Sequence, residues 1–232
     1  MKQEQSSRSA AGVSLLRAIE SQKPETERIC YDPYALPLVK VLMSSVALTL
    51  STWVINSGIY ARMSQGAVEF VVARERYIDD TLKMCLNEGL DQVVILGAGF
   101  DTRAYRIAGI EKTHVFEVDH PATQAVKLEK LQHIIHPLPT RVTFVPVDFD
   151  TQSLEERLLD SGYNQQGKTL FIWQGVTYFL TQEGVDNTLA FIANRSGTGS
   201  SVIFDYFYNE ALNDTRHGYG KAMRRAAKLS GG

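Results

Sequence analysis

Five short runs rich in β-branched and aromatic residues recur after residue 91, and their spacing limits the folds open to this chain. The runs are Val93–Leu96, His114–Val118, Val142–Val147, Thr169–Trp173 and Ser201–Phe207. Their starts are 21, 28, 27 and 32 residues apart, which leaves room for a helix in each gap. Uncharged runs such as VVIL and LFIW are typical of strands covered on both faces. The pattern therefore predicts an α/β fold with a doubly wound, mostly parallel sheet.

The first 90 residues show helical periodicity instead. Apolar residues at helical spacing predict helices around 13–19, 36–60 and 65–87, with Gly89 as the C-cap of the last. We therefore expect residues 1–90 to form a helical lid or substrate region and residues 91–232 to form an α/β core that contains the main ligand site. The uncharged stretch Val41–Ile59 contains seven Ser, Thr and Asn residues, which favours a buried or lid helix over a membrane span.

Composition narrows the possible partners and the compartment. The 24 Lys and Arg residues against 26 Asp and Glu residues give a net charge of −2, which offers no footprint for nucleic acid and no pull toward an anionic membrane. Two cysteines, Cys30 and Cys85, cannot form a disulfide framework, so a reducing, cytoplasmic location is expected. His133 and His136 have the spacing of metal ligands, but no third ligand is evident, and we predict no metal site.

Ligands of a doubly wound sheet bind beyond the carboxyl ends of its strands, so the residues that follow each run are the candidate site. Gly97 and Gly99 after the first run allow a tight turn and close approach of a ligand, and Asp101 adds a carboxylate there. The third glycine of a dinucleotide-binding loop is replaced by Thr102. The alternative for this segment is a plain strand-to-helix turn.

Three further strand ends carry polar residues suited to adenosine. Glu117 and Asp119 alternate onto one face and can accept hydrogen bonds from ribose hydroxyls, although either could instead cap the helix at Pro121. Asp148 and Phe149 suit an adenine amino group and its ring face, or else form a turn and a core contact. Gln174 follows the fourth run. Together, these residues are a more specific signal for an adenosine site than any one of them alone.

The motifs that contain these residues resemble the leucine carboxyl methyltransferase-like family of class I S-adenosylmethionine-dependent methyltransferases, in particular its microbial O-methyltransferase branch. The matching segments are DPYA (32–35), ARERYIDD (73–80), QVVILGAGFDTRAYRI (92–107), FEVDHP (116–121), VPVDF (145–149) and WQGVTYFLT (173–181). The resemblance as a whole extends over about residues 15–207. The resemblance implies a Rossmann-like fold and S-adenosyl-L-methionine as cofactor.

The resemblance also implies roles for individual residues. Arg74, with Arg62 in a similar context as a second candidate, would pair with the methionine carboxylate of the cofactor. Gly97 would approach the cofactor closely. The ribose would be held by Asp119 or Glu117. The adenine would meet Asp148 and Phe149, and Gln174 would lie beside the methionine part.

Two departures from the family pattern stand out. The family usually carries Glu at the position of Gln174, so a charge that could face the cofactor's ammonium is missing. The family sheet also continues with two strands after Ser201–Phe207, and only about 25 residues remain here, so we expect those strands to be missing. An alternative to an active enzyme is therefore a truncated or non-catalytic methyltransferase-like binding protein. A nicotinamide-dependent oxidoreductase is the other rival, although it lacks the third glycine and a Tyr-x-x-x-Lys pair.

The expected reaction is methyl transfer to an oxygen. The sulfonium of the cofactor already activates the methyl group, so the protein has to hold an acceptor in line and exclude water. We expect a small metabolite with a carboxylate, phenol or hydroxyl acceptor. No residue is identified as catalytic; Tyr178 and Tyr206 are candidates for the acceptor pocket, with core packing as the alternative. The oligomeric state stays open.

Overall fold

A five-stranded parallel sheet forms the centre of the protein in a computed structural model, which describes residues 2–57, 66–149, 151–206 and 208. The strands are β1 (Gln92–Leu96), β2 (His114–Asp119), β3 (Val142–Pro146), β4 (Thr169–Trp173) and β5 (Ser201–Phe204). Their order is β3-β2-β1-β4-β5, and every neighbouring pair is parallel. The predicted α/β fold and all five predicted strands are confirmed; the last strand ends at Phe204 rather than Phe207.

The point where the strand order reverses lies between β1 and β4. Gln92 of β1 is in register with His114 of β2 on one side and with Thr169 of β4 on the other. Connections leave this point toward opposite faces of the sheet, which opens a crevice beyond the carboxyl ends of the two strands. The segments after β1, β2 and β4 therefore share one edge.

Eight helices are described around the sheet. They are α1 (Lys2–Ser21), α2 (Ala35–Leu42), α3 (Ser45–Asn56), α4 (Ala67–Asn87), α5 (Arg103–Arg106), α6 (Pro121–Leu131), α7 (Leu154–Asp160) and α8 (Gln182–Asn194). Short 3₁₀ turns cover Ile110–Lys112 and Thr177–Phe179.

Two helices, α2 and α3, lie in the helical region predicted for residues 36–60, of which residues 58–60 are outside the described part of the chain. Met43 adopts an extended conformation after α2, and the hydroxyl of Ser44 accepts a hydrogen bond from the backbone N–H of Ala47 at 3.3 Å. Ser44 is thus the N-cap of α3, and it satisfies a donor that a continuous helix would have bonded to its own preceding turn. None of the helices in the described part of the chain combines the length and apolarity that a membrane span requires.

Two apolar clusters cover the two faces of the sheet. Side chains alternate along β1, so Val93 and Ile95 join one cluster while Val94 and Leu96 join the other. The first cluster includes Ile78, Leu82 and Cys85 of α4. Helix α4, which lies in the predicted 1–90 region, therefore packs directly on the sheet. The division at residue 90 remains a prediction.

Two glycines offer a matched test of how closely the chain is packed around them. A Cβ on Gly12, in the exposed interior of α1, meets no described atom within 4 Å, so Gly12→Ala should raise the free energy of unfolding by about 0.5–1 kcal/mol through helix propensity. A Cβ on Gly197 would collide with the carbonyl oxygen of Gln166 and lie 2.7 Å from that of Gly167. Gly197→Ala should therefore lower it by about 1–3 kcal/mol. Urea unfolding of both variants checks the opposite signs, and equal shifts would contradict the packing.

Candidate functional site

The loop after β1 has the backbone conformation that its glycines predict. Gly97 and Gly99 have φ of +66° and +44°, in the left-handed region that strains other residues. A Cβ on Gly97 would collide with the side chain of Val176, and one on Gly99 would lie 3.1 Å from the Cβ of Ala10. The loop is thus enclosed between the segment after β4 and helix α1.

The two acids of β2 occupy different environments. Asp119 lies at the end of the strand, where its carboxylate accepts hydrogen bonds from the backbone N–H groups of Gly99 and His120, the latter at 2.6 Å. Glu117 is 1% exposed, and its carboxylate lies 2.7 Å from the ammonium of Lys127. Burial raises the pKa of both carboxyl groups, although Lys127 opposes the shift at Glu117 and the two N–H groups oppose it at Asp119. The structure brings only Asp119 into contact with the glycine loop.

The pair after β3 forms a turn beside the core. The backbone N–H of Asp148 donates to the side chain of Gln152 at 3.0 Å, and its carbonyl accepts from Thr151 and Gln152. Phe149 is half-buried and packs against the apolar cluster that contains Trp173. An adenine-binding role for both residues stays a prediction.

A buried guanidinium connects the glycine loop to α4. Arg103 has no exposed side-chain surface and donates to three carboxylates: Asp101, Glu75 at 2.5 Å and Asp79 at 2.7 Å. Sequence reasoning missed Arg103, Glu75 and Asp79, although all three lie in the segments GAGFDTRAYR and ARERYIDD. The available signal was the number of charged residues of both signs in these two segments, since charged residues that are buried are usually paired. Asp101, predicted to bind the cofactor, is held by this guanidinium, and its predicted role is not tested.

Opposite charges within the cluster outweigh the effect of burial on the pKa values of its members. Burial would lower the pKa of Arg103, but Asp101, Glu75 and Asp79 outweigh it and raise that pKa above its usual range. Burial would raise the pKa of Asp101, but Arg103 and Arg17 outweigh it and bring that pKa to about 2. The same two guanidiniums overcome burial at Glu75 and lower its pKa. Asp101 and Glu75 therefore stay ionised although water is excluded.

Gln174 bridges two charged members of this cluster. Its amide nitrogen donates to Glu75 at 2.6 Å, and its amide oxygen accepts from Arg103 at 3.0 Å. One side chain that both donates and accepts is needed at this position, and an ionised glutamate has no hydrogen to donate. The departure from the family pattern at residue 174 thus has a local reason. Its predicted position beside the methionine part of a cofactor is not tested.

The DPYA segment ties α1 and α2 to the glycine loop. One oxygen of Asp32 accepts the backbone N–H groups of Tyr34 and Ala35, and the other accepts the Thr102 hydroxyl at 2.6 Å. Arg17 of α1 lies 3.0 Å from Asp32 and donates to the carbonyl of Phe100 at 2.6 Å. Helix α1 is therefore part of the structure that shapes this site.

Arg74 pairs with a carboxylate that the sequence reasoning missed. Its guanidinium contacts Asp205, the residue after β5, and the other oxygen of Asp205 accepts the backbone N–H of Gly175 at 2.6 Å. Nothing in the sequence signals a pair 131 residues apart. Arg62, the second predicted partner for the methionine carboxylate, lies outside the described residues.

The two tyrosines predicted for an acceptor pocket differ in environment. Tyr178 is half-buried, and its hydroxyl lies 3.3 Å from the position that a Cβ on Gly175 would take. Tyr206 is 58% exposed, with its hydroxyl 3.3 Å from that of Tyr208. The structure thus brings Tyr178 to the end of β4 and leaves the ring of Tyr206 at the surface. Within the described ranges, no three His, Cys, Asp or Glu side chains group as metal ligands would.

Sequence comparison gives consistent matches. The family model described as leucine carboxyl methyltransferase matches residues 10–193. A Bacillus subtilis protein, provisionally named the S-adenosyl-L-methionine-dependent methyltransferase YktD, is 40% identical over 58% of this chain and 44% of its own length. A Mycolicibacterium smegmatis protein with the same provisional function is 31% identical over 88% of this chain and 67% of its own length. The chain thus spans about half to two thirds of these relatives.

A solved structure shares the fold. A DUF574 family protein from Streptomyces avermitilis superimposes with a TM-score of 0.58 over 95% of this chain and 76% of its own length, at 14% identity. At that identity the match supports the α/β fold alone.

The bridge at residue 174 can be tested by Gln174→Glu. The new carboxylate would face Glu75 at hydrogen-bond distance, so we expect the free energy of unfolding to fall by about 1–3 kcal/mol at pH 8. Repulsion between like charges raises the folded-state pKa of the introduced carboxyl group. The loss should therefore shrink as the pH falls toward 5 and the group becomes protonated.

The control is Gln174→Ala, which removes both hydrogen bonds and adds no charge. Its loss of stability relative to the unmodified protein should not depend on pH between 5 and 8. Urea unfolding at both pH values measures the two variants, and a Gln174→Glu variant that is more stable at pH 8 than at pH 5, relative to the unmodified protein, would contradict the bridge.

Proposed function

Since the chain belongs to the leucine carboxyl methyltransferase family, we propose that it binds S-adenosyl-L-methionine and transfers the methyl group to an oxygen of a small metabolite. The observation that carries the proposal is the contact between Asp119 and the backbone N–H of Gly99. It puts a ribose-binding type of carboxylate against a left-handed glycine loop at the switch point of the sheet. The relatives named as methyltransferases support the cofactor.

The environments of the two β2 acids favour Asp119 as the ribose ligand. Each carboxylate oxygen has two lone pairs, so Asp119 retains acceptor capacity beyond its two backbone hydrogen bonds. Glu117 is buried against Lys127, and a ligand could reach it only by breaking an ion pair that excludes water. In this proposal Glu117 supports the strand, and Asp119 contacts the cofactor.

The chemistry that the protein must add is modest. When bound, S-adenosylmethionine supplies an activated methyl group. The protein's residues have to hold the acceptor oxygen in line with it and keep water out. A carboxylate acceptor needs no general base, whereas a phenol or hydroxyl would benefit from one. Tyr178, half-buried at the end of β4, is the side chain that we assign to the acceptor side.

The proposal extends to partners and location. A net charge of −2 gives no reason to expect a nucleic-acid partner, and the acceptor is taken to be a small carboxylate, phenol or alcohol. Cys30 and Cys85 are buried free thiols, which supports a reducing compartment such as the cytoplasm.

Calorimetry with S-adenosylhomocysteine tests the cofactor and its ribose ligand. Asp119→Asn should weaken binding by about tenfold or more, because it removes the charge from the ribose acceptor, and circular dichroism should show an intact fold. Glu117→Gln leaves Lys127 buried without its counter-charge, so this variant should lose stability more than affinity. Affinity unchanged in Asp119→Asn would contradict the ribose assignment. Binding of NADH in place of S-adenosylhomocysteine would contradict the function itself.

The oxygen acceptor is tested by methyl transfer. In a panel of small carboxylic acids, phenols, amines and thiols, radioactive methyl groups from S-adenosylmethionine should enter carboxylic acids or phenols. Methyl esters lose the label as methanol in mild base and aryl methyl ethers retain it, so the two acceptor types are distinguished. Transfer only to amines or thiols would contradict O-methylation.

A further inference from the structure

Asp205 joins three segments at the carboxyl edge of the sheet. One carboxylate oxygen contacts Arg74 of α4, and the other accepts the backbone N–H of Gly175, after β4, at 2.6 Å. Its own carbonyl accepts the hydroxyl of Thr177 at 2.6 Å. Two separate hydrogen bonds therefore hold the residue after β5 against the segment after β4.

Arg74 keeps donors that Asp205 does not use. Its side chain is 10% exposed, and its Nε has no hydrogen-bond partner among the described residues. A guanidinium offers five N–H donors in a fixed plane. A buried donor without a partner is costly, so the group suits a ligand that completes its hydrogen bonds.

A cavity of about 350 Å³ lies against the pair. Its wall contains Arg74 and Asp205, and the rest of its lining is apolar or aromatic, including Phe70, Tyr77 and Phe204. The pair thus places one cation and one anion side by side in an otherwise apolar wall.

We propose that Asp205 binds the ammonium of S-adenosylmethionine, beside Arg74, whose pairing with the carboxylate of the same amino-acid end is implied by the family resemblance. The proposal rests on the proposed function. It assigns to Asp205 the counter-charge that the family pattern would place at residue 174, where this chain has a neutral amide. A neighbouring cation and anion match a zwitterion better than a plain anion, because each ligand charge meets its opposite.

Two other carboxylates near the strand ends lie inside the buried network. Glu75 is fully buried between Arg103 and Arg17, and Asp101 is held by Arg103. The side chain of Asp205 is 13% exposed, and the residue lies in the wall of the cavity. It is the acid in this group that a ligand ammonium can reach without entering the buried network.

The strand order sets the distance between Asp119 and Asp205 along the carboxyl edge of the sheet. Asp119 follows β2 and Asp205 follows β5, which are three strand spacings apart, or roughly 14 Å along the edge of the sheet. A ligand bound by its ribose at Asp119 and extended past the glycine loop would therefore direct its amino-acid end toward β4 and β5.

Four ligands separate the two charges in a calorimetric test. They are S-adenosylhomocysteine, its decarboxylated analogue, which keeps the amine, its deaminated analogue, which keeps the carboxylate, and 5′-methylthioadenosine, which has neither. Asp205→Asn should weaken the two amine-bearing ligands by about tenfold and leave the other two within about twofold. Arg74→Met should weaken the two carboxylate-bearing ligands instead.

Matched controls keep a loss of fold apart from a loss of charge. Asparagine retains an acceptor for the N–H of Gly175, so Asp205→Asn should keep the turn. Asp160→Asn removes an exposed carboxylate at the end of α7 and should change none of the four affinities. Unchanged binding of 5′-methylthioadenosine shows that the adenosine side of the site is intact in each variant.

The outcomes distinguish this proposal from the function it rests on. If Asp205→Asn leaves the amine-bearing ligands unchanged, tightens them, or weakens all four ligands equally, Asp205 does not bind the ammonium, and the cofactor assignment stands. If the unmodified protein binds neither S-adenosylhomocysteine nor 5′-methylthioadenosine, both proposals are wrong.

Discussion

The buried guanidinium of Arg103 is the interaction on which the rest of the site depends. It holds Glu75 and Asp79 of α4 and Asp101 of the glycine turn, so the helix and the turn are fixed to one group. Removing one partner of a buried charge network typically costs about 3–5 kcal/mol, because the remaining charges lose their compensation. The turn that carries Gly97 and Gly99 therefore has its position set by electrostatics as well as by the apolar core beneath it.

The same network connects the N-terminal helices to the loop after β1. Arg17 of α1 contacts Asp32 and the carbonyl of Phe100, and Asp32 accepts the hydroxyl of Thr102. Helix α1 thus helps to define the loop that follows β1. A region expected to act as a lid contributes ionic contacts to the candidate cofactor site itself, so movement of α1 would disturb the loop.

The segment after β5 carries a carboxylate, whereas the segment after β4 has a neutral amide where the family pattern has an acid. Gln174 is held by Glu75 and Arg103, where only a side chain that donates and accepts can satisfy both neighbours. Asp205 supplies a carboxylate one strand away, beside Arg74. The charge absent at residue 174 is thus present in the adjacent segment, at the same edge of the sheet.

The strands and their parallel arrangement were predictable from the sequence alone, and the same pattern made the carboxyl edge of the sheet the expected place for a ligand. Strands depend on the local side-chain pattern, and their parallel arrangement depends on the spacing of the five runs between Val93 and Ser201, because each gap is long enough for a crossover helix. The sequence also singled out the glycine loop and both acids of β2. Only the tertiary structure separated Asp119 from Glu117, since burial against Lys127 is a contact between elements. It alone paired Arg74 with Asp205, because no local pattern encodes a contact between residues 131 positions apart.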